Sequence, residues 1–251
     1  MSYYFLGILL PKIEIGKPPE MSFQEFNTFM KDNLRAGDYQ KLLRLRHLYD
    51  IANLRFYWKE APLGPYGTFN LLELEDALAT RTMLPGYVFA FLDQYLTNEM
   101  RLLHYSQLLG TFFQEEIKKS SGIIQGYYKF EREVRLTLLA FRAKSLQRDL
   151  EVELQYEDKG DEIIVHIMEQ KDAYGYQPLP QYADLKNIIQ DFNQDPIILH
   201  KALLEYRFNR IEEMFDDKFF SIDRFAGYML QLIMAERFYQ MNHPLNVEMA
   251  S

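Results

Sequence analysis

The stretch DPIILHKALLEYRFNRIEEMF, residues 195–215, followed by SIDRFAGYMLQLIMAERF, residues 221–238, decides the fold class. Asp195 can cap a helix that begins at Pro196, because the N–H that proline lacks is one that this position leaves unbonded. Ser221 can cap a second helix, whose apolar residues lie on all of its sides. Such a helix is normally buried among other helices. The two segments therefore predict an antiparallel helix pair at the centre of a helical bundle.

Capping residues recur before other amphipathic stretches. Ser22 and Glu25 form a capping box before a helix that ends near residue 34. Asp38 and Asn70 are predicted to cap two more helices, separated by the Pro- and Gly-rich residues 62–67. The helix after Asp38 has a predicted apolar seam of Leu42, Leu45, Tyr49, Ala52 and Phe56. Further helices are predicted over residues 87–95, 99–118, 120–156, 161–170 and 182–192.

These patterns decide the architecture that we expect. Segments that alternate apolar and polar residues, as half-buried strands do, are absent. The sequence therefore predicts an all-α protein, an elongated or funnel-like bundle of long antiparallel helices with no significant sheet. With 251 residues, 48% of them hydrophobic, a single helical domain over residues 1–251 is expected. The segment Ala173–Gln181 could serve as a linker between two sub-bundles, 1–172 and 173–251.

Composition excludes several classes of partner. The formal net charge of −8 argues against nucleic acid, because phosphate binding needs clustered Lys and Arg. The chain has no cysteine, which excludes disulfides and thiolate metal sites and favours a reducing compartment. No apolar run approaches the ~20 residues that a bilayer span needs, and no signal peptide is recognised. We therefore expect no direct membrane insertion.

Motifs for catalysis or cofactor binding are lacking. The spacing closest to a metal-binding pattern is that of Glu162, His166 and Glu169, which an ordinary helix surface explains better than a ligand set. No phosphate-binding glycine loop and no Gly-x-Ser-x-Gly elbow occurs. We expect no catalytic residue, no metal, no cofactor and no small-molecule substrate, and predict that the chain is not an enzyme. An enzyme with a pocket between helices is the weaker alternative.

Four motifs, in order along nearly the whole chain, carry a resemblance to a known family. They are the run from Tyr3 to Phe26 with Pro11 and Gly16-Lys17-Pro18-Pro19, the segment Asp50-Ile51-Ala52-Asn53-Leu54-Arg55, the segment Phe141-Arg142-Ala143-Lys144, and the set Tyr228, Leu232, Glu236 and Arg237. Together they resemble the funnel-like central-stalk subunit of V/A-type rotary ATPases (ATP synthases), which bacteria, archaea and eukaryotes share. The likeness is greatest to a short bacterial family related to that subunit.

The resemblance implies a non-catalytic central-stalk adaptor, which links the rotor shaft to the membrane proteolipid ring and so couples ion transport to ATP synthesis or hydrolysis. The implied partners are the shaft subunits and the proteolipid ring. The implied location is the cytoplasm, peripheral to the inner face of the membrane through those partners. The alternative is a free-standing helical scaffold or protein-interaction module of the same fold outside the rotary complex.

The polar motif residues are expected to be structural rather than catalytic. They are Asp50, Asn53, Arg55, Arg142, Glu236 and Arg237. On packed helices such residues can satisfy one another or nearby carbonyl groups, and direct contact with a partner is the alternative. Because Glu236 and Arg237 are adjacent in apolar surroundings, we predict that they form a buried polar pair.

Overall fold

The computed structural model describes residues 3–215 and 221–242. Within these residues the secondary structure consists of thirteen α-helices and one short 3-10 helix, with no β-strand. The predicted all-α class is therefore confirmed. No helix in the described ranges combines the length and the apolar character that a bilayer span requires. The single domain predicted over 1–251 also includes residues 1–2, 216–220 and 243–251, which lie outside the described residues.

The helices follow one another with short connections. In chain order they are α1 (Tyr4–Ile8), α2 (Phe23–Asn33), α3 (Ala36–Trp58), α4 (Leu71–Thr80), α5 (Gly86–Gln94), α6 (Asn98–Leu103), α7 (Tyr105–Lys119), α8 (Gly122–Ser145), α9 (Leu150–Glu153), α10 (Glu162–Met168), the 3-10 helix Pro180–Tyr182, α11 (Ala183–Phe192), α12 (Pro196–Phe215) and α13 (Ile222–Asn242).

Contacts divide the chain into two compact units. Unit 1 combines residues 1–45 with residues 188–251, and unit 2 consists of residues 46–187. Helices α3 and α11 therefore each contribute residues to both units. The segment Ala173–Gln181, which we considered as a linker, lies inside unit 2, and its Tyr176 is buried in the core of that unit.

In unit 1, α12 and α13 both begin where their capping residues predict. Asp195 Oδ1 accepts the backbone N–H groups of Ile197 at 2.9 Å and of Ile198 at 3.1 Å. Ser221 Oγ accepts the N–H group of Asp223 at 3.2 Å. These bonds satisfy N–H groups that the first turn of a helix leaves without a helical partner.

Helices α12 and α13 pack antiparallel along the buried residues 225–235 of α13. A Cβ atom on Gly227 would lie 2.7 Å from Phe215 Cγ, so the two helices can approach this closely only at a glycine. At the next turn of α13, Gln231 Nε2 donates to the carbonyl oxygen of Phe208 at 3.3 Å. The predicted antiparallel pair is therefore confirmed.

In unit 2, α8, α9, α10 and the segment after α10 share one apolar core. Its fully buried members are Leu136, Ala140, Ala143, Leu150, Leu154, Ile163, Ile164, Ile167 and Tyr176. A buried ion-pair network also ties α8 to the segment before α10. In it Arg132 donates to Glu157 at 2.9 Å and to Asp161 at 2.8 Å. Buried charges of this kind are tolerated because each has a partner.

The predicted helix over residues 120–156 is wrong, because α8 ends at Ser145. Gln147 adopts a left-handed backbone conformation with φ 52°. The N–H group of Arg148 then donates back to the carbonyl oxygen of Ala143 at 2.8 Å, which is a common way of ending a helix. Asp149 caps the short helix α9 that follows.

The predicted helix over residues 99–118 is also interrupted, at His104. The His104 ring stacks on Tyr95, with ring centres 4.3 Å apart and planes inclined by 13°. Its Nδ1 atom is hydrogen-bonded to the Tyr156 hydroxyl at 2.8 Å. These tertiary contacts accompany the change of direction between α6 and α7.

Asp38 is not the cap of α3, which already begins at Ala36. It lies in the first turn, where its carboxylate accepts the Tyr3 hydroxyl at 2.7 Å and the Lys41 ammonium at 3.2 Å. The bond from Tyr3 is the main reason that the pKa of Asp38 lies below its usual value. The prediction of a cap at Asp38 is therefore wrong.

Candidate functional site

Three polar residues on one side of α3 hold the loop that follows this helix. Arg46, Asp50 and Asn53 are four and three residues apart, so they share one side of α3. All three are buried. The loop of residues 59–70 connects α3 to α4, and these three side chains bind its backbone. We call Arg46, Asp50 and Asn53 the loop clamp.

Asp50 and Asn53 make reciprocal or paired bonds to this loop. Asp50 Oδ1 accepts the N–H group of Thr68 at 2.5 Å, and Asp50 Oδ2 accepts the Thr68 hydroxyl at 2.7 Å. Asn53 Nδ2 donates to the Gly64 carbonyl at 3.0 Å, and Asn53 Oδ1 accepts the Gly64 N–H at 2.9 Å. The irregular loop thereby obtains the hydrogen bonds that a helix or a sheet would otherwise supply.

The loop lies too close to the clamp for any side chain at Gly67. A Cβ atom there would be 2.6 Å from Asn53 Nδ2 and 2.6 Å from Asp50 Oδ1. Arg46 completes the arrangement by donating to the carbonyl oxygen of Tyr66 at 2.9 Å and to that of Gly67. The sequence identified Asp50 and Asn53 but not Arg46, whose signal is its position one turn before Asp50.

Burial governs the electrostatics of Asp50. It raises the pKa of this carboxyl group above its usual value, because a desolvated charge is unfavourable. The two bonds from Thr68 lower the pKa, and so do the positive charges of His47 and Arg46, but burial is the largest of these effects. Asp50 is therefore a weaker acid than an aspartate on the surface.

A cavity of about 340 Å³ lies beside the loop clamp in unit 2. Its lining residues are His47, Asp50, Ile51, Phe69, Met83, Leu84, Pro85 and Tyr87. His47 Nδ1 is buried and has no hydrogen-bond partner. The Tyr87 hydroxyl donates to Glu116 Oε1 at 3.3 Å, and burial and the charge of Glu116 both raise the pKa of Tyr87. The cavity thus combines a few polar atoms with apolar walls, as small binding sites do.

Arg55 and Arg142 are exposed and do not belong to the loop clamp. The Arg55 guanidinium lies 5.3 Å from the centre of the Tyr105 ring, at cation–π distance. The Tyr105 hydroxyl donates to the carbonyl oxygen of Ile51 at 3.2 Å, and burial raises the pKa of Tyr105 to about 12. Arg142 lies in the last turn of α8, where a positive charge is favourable.

Glu236 and Arg237 do not form the predicted buried pair. Glu236 is half-buried, and its Oε1 atom accepts the backbone N–H group of Phe23, the first residue of α2, at 3.1 Å. Arg237 is exposed, and its charge adds to the effect of burial in lowering the pKa of His200. The predicted pair is wrong because successive residues of a helix point in different directions.

The described residues contain no cluster of three or more His, Asp or Glu side chains that could hold a metal ion. His166, in the spacing closest to a metal-binding pattern, is hydrogen-bonded through Nε2 to the carbonyl oxygen of Gln177 at 2.8 Å. The expectation that the chain binds no metal and no cofactor stays a prediction.

Comparison with known proteins gives one family and several relatives. The family model described as "Protein of unknown function (DUF2764)" matches residues 1–245. An uncharacterised protein of Chlamydia trachomatis is 30% identical over 241 residues, which are 93% of this chain and 90% of the relative. Another, of Chlamydia muridarum, is 29% identical over 241 residues, 94% of this chain and 91% of the relative. No solved structure matches the chain.

These matches correct the resemblance on which the expected family rested. The matching model covers nearly the whole chain, and its description does not name the central-stalk subunit of the V/A-type ATPases. The relatives carry no such description either. The assignment to that ATPase family is therefore wrong.

Proposed function

This chain belongs to the DUF2764 family, and we propose that it is a non-catalytic helical adaptor that works by binding other proteins. The observation that carries the proposal is a stripe of exposed apolar side chains at one helix in each unit. Single exposed apolar residues are normal on any protein. Several of them on one side of one helix are typical of a surface that binds a partner.

The first stripe lies at α6 in unit 2. Leu96, just before the helix, and Met100 and Leu103 within it are four and three residues apart, which is helical spacing. They are between 41% and 78% exposed. A short helix gains little by exposing three large apolar side chains, whereas burial of each against a partner would contribute roughly 1.5–3 kcal/mol. We define these three residues as the α6 stripe.

The second stripe lies at α1 in unit 1. Phe5, Ile8 and Leu9 also follow helical spacing and are between 62% and 80% exposed. The neighbouring Tyr3 is fixed in unit 1 by its bond to Asp38, so α1 is attached while its apolar residues stay exposed. We define Phe5, Ile8 and Leu9 as the α1 stripe. Two separate stripes are what an adaptor with two partners requires.

The narrower role remains a proposal within this one. As a central-stalk adaptor of a V/A-type rotary ATPase, the chain would bind the shaft through one stripe and the proteolipid ring through the other. It would then be cytoplasmic and peripheral to the membrane through these partners. A free-standing helical scaffold outside the rotary complex would use the same stripes for other proteins.

Affinity purification with stripe variants tests both levels. The tagged chain is purified from native membranes and cytosol beside Leu96→Glu/Leu103→Glu and Phe5→Glu/Leu9→Glu. Leu146→Glu is the matched control, because Leu146 is 51% exposed and lies outside both stripes. We expect each stripe variant to lose a specific partner that the control retains. Shaft and ring subunits among the lost partners would support the rotary role.

The outcome that contradicts the adaptor is equally concrete. If all four proteins, folded by circular dichroism, retain the same partners or none, the stripes do not bind proteins. If partners are lost but none is an ATPase subunit, the rotary role fails and the scaffold remains.

A further inference from the structure

The cavity beside the loop clamp carries an inference that does not depend on the stripes. Three of the groups that line it have acceptor capacity that is incompletely used. Each carboxylate oxygen of Asp50 accepts one bond from Thr68, although an oxygen of this kind can accept two. The Tyr87 hydroxyl gives its proton to Glu116, which leaves its oxygen able to accept.

His47 supplies the third acceptor. Its Nδ1 atom is buried and without a partner, which is uncommon for a polar atom in a folded protein. With the ring proton on Nε2, Nδ1 accepts a hydrogen bond. A buried acceptor that no protein group satisfies is favourable only if something else can satisfy it.

The charge balance around the cavity favours a cation. The carboxylates of Asp50 and Glu116 are both buried, and the buried guanidinium of Arg46 is a positive group nearby in the same unit. The ammonium of Lys119 lies 5.6 Å from the centre of the Tyr87 ring, but Lys119 is exposed and paired with Glu115. An anion in the cavity would therefore be repelled, whereas a cation would be attracted.

The remaining walls are apolar. Ile51, Phe69, Leu84 and Pro85 line the cavity and can cover an alkyl chain. Met83 lines it as well, and its flexible thioether side chain can adapt to the shape of a ligand. At about 340 Å³ the cavity is large enough for one small aliphatic group.

The backbone at Met83 is strained. Met83 has φ 65°, and the N–H group of Leu84 donates to the carbonyl oxygen of Thr82 at 2.7 Å. This is a γ-turn with positive φ, a rare conformation that is costly for a residue with a side chain. Strained residues of this kind occur preferentially where a protein holds a ligand.

We propose that this cavity binds a primary alkylammonium group, with its three N–H bonds directed to Asp50, His47 Nδ1 and the Tyr87 oxygen and its alkyl chain against the apolar walls. The three donors of an ammonium group match the three acceptors, whereas an alcohol has one donor and a carboxylate none. The group can come from a free aliphatic amine or from a lysine side chain of a protein.

Imidazole NMR of the intact chain tests the proposal, because each of the five histidines gives its own signals. The probes are n-butylammonium, n-butanol and butyrate, and two peptides that differ only in lysine against acetyl-lysine. We expect n-butylammonium to shift the His47 resonances and the two uncharged or anionic probes not to do so. If only the lysine peptide binds, the source is a protein; if n-butylammonium binds, a free amine is sufficient.

Two variants identify the acceptors without disturbing the loop clamp. His47→Gln and Tyr87→Phe should each weaken n-butylammonium binding, by roughly tenfold for one lost hydrogen bond. His166→Gln, the same substitution at a histidine of unit 2 outside the cavity, should leave it unchanged. The proposal is overturned if n-butanol binds as tightly as n-butylammonium, if neither variant weakens binding, or if no ammonium probe binds at a large molar excess.

Discussion

The loop clamp in unit 2 and the Glu236–Arg237 pair in unit 1 were expected to be similar, yet they differ in what they bind. Asp50 and Asn53 are buried and make four hydrogen bonds to an irregular loop. Glu236 is half-buried and accepts a bond from the first N–H group of α2, and Arg237 is exposed.

The difference shows that the contribution of a polar residue depends on the backbone it faces. A loop without internal hydrogen bonds has many unsatisfied groups, and buried side chains must satisfy them. The start of α2 already has its own capping box from Ser22 and Glu25, so Glu236 adds only one further bond. The predictions below test this contrast from the largest effect to the smallest.

The largest effect is expected for Gly67→Ala. The added Cβ atom would lie 2.6 Å from polar atoms of both Asp50 and Asn53, so the loop or the clamp must move. We expect the free energy of unfolding to fall by about 3 kcal/mol, as measured by urea denaturation. Gly37→Ala is the control, because nothing lies within 4 Å of its added Cβ atom and alanine favours a helix. Equal midpoints for Gly67→Ala and the wild type would refute this account of the clamp.

The next effect concerns Asp50→Ala. The N–H and hydroxyl groups of Thr68 would lose their acceptor in a partly buried site, which should cost about 2–3 kcal/mol. Combining it with Thr68→Val in a double-mutant cycle isolates the hydroxyl bond, because valine keeps the backbone N–H group. Additive losses in the cycle would show that the side chains of Asp50 and Thr68 do not interact.

A smaller effect is expected in the pH dependence of stability. Because the folded-state pKa of Asp50 lies above its unfolded value of 3.8, proton binding to Asp50 stabilises the fold fully below pH 3.8. This contribution is lost as the pH rises through the folded pKa. Urea denaturation at a series of pH values should show the loss in the wild type and not in Asp50→Asn. Identical profiles for the two proteins would contradict the raised pKa.

The smallest effects are expected at the pair in unit 1. Glu236→Ala removes a bond from a carboxylate to the start of α2 and should lower the free energy of unfolding by about 1–2 kcal/mol. Arg237→Met is its matched control and should change it by less than about 0.5 kcal/mol, because the side chain is exposed. A larger loss for Arg237→Met than for Glu236→Ala would restore the buried pair that the structure does not contain.

Local signals in the sequence identified most of the helix starts. Ser22, Asn70 and Asp195 all accept the expected backbone N–H groups. Capping depends on residues within one turn of each other, so the sequence contains all the information it needs. The seam on α3 shows the limit of such reasoning, since Leu42 and Leu45 are buried as predicted but Phe56 is exposed.

Within the candidate site, the sequence indicated two of the residues and not their purpose. Asp50 and Asn53 came from motif resemblance, whereas Arg46 could have been found from its position on the same side of α3. His47 and Tyr87 had no signal at all, because the cavity joins α3 to a turn and a helix more than thirty residues further along the chain.

The sequence by itself determined the all-α class, the capped helix starts and the antiparallel pair of α12 and α13, because these follow from interactions between residues close along the chain. Only the tertiary structure decided where α8 ends, why α6 and α7 separate at His104, and which side of α3 is buried. Each of these depends on a partner distant in sequence or on a backbone conformation, such as that of Gln147, which no residue type specifies alone. The loop clamp and its cavity belong to this second class, and so does any function that they carry.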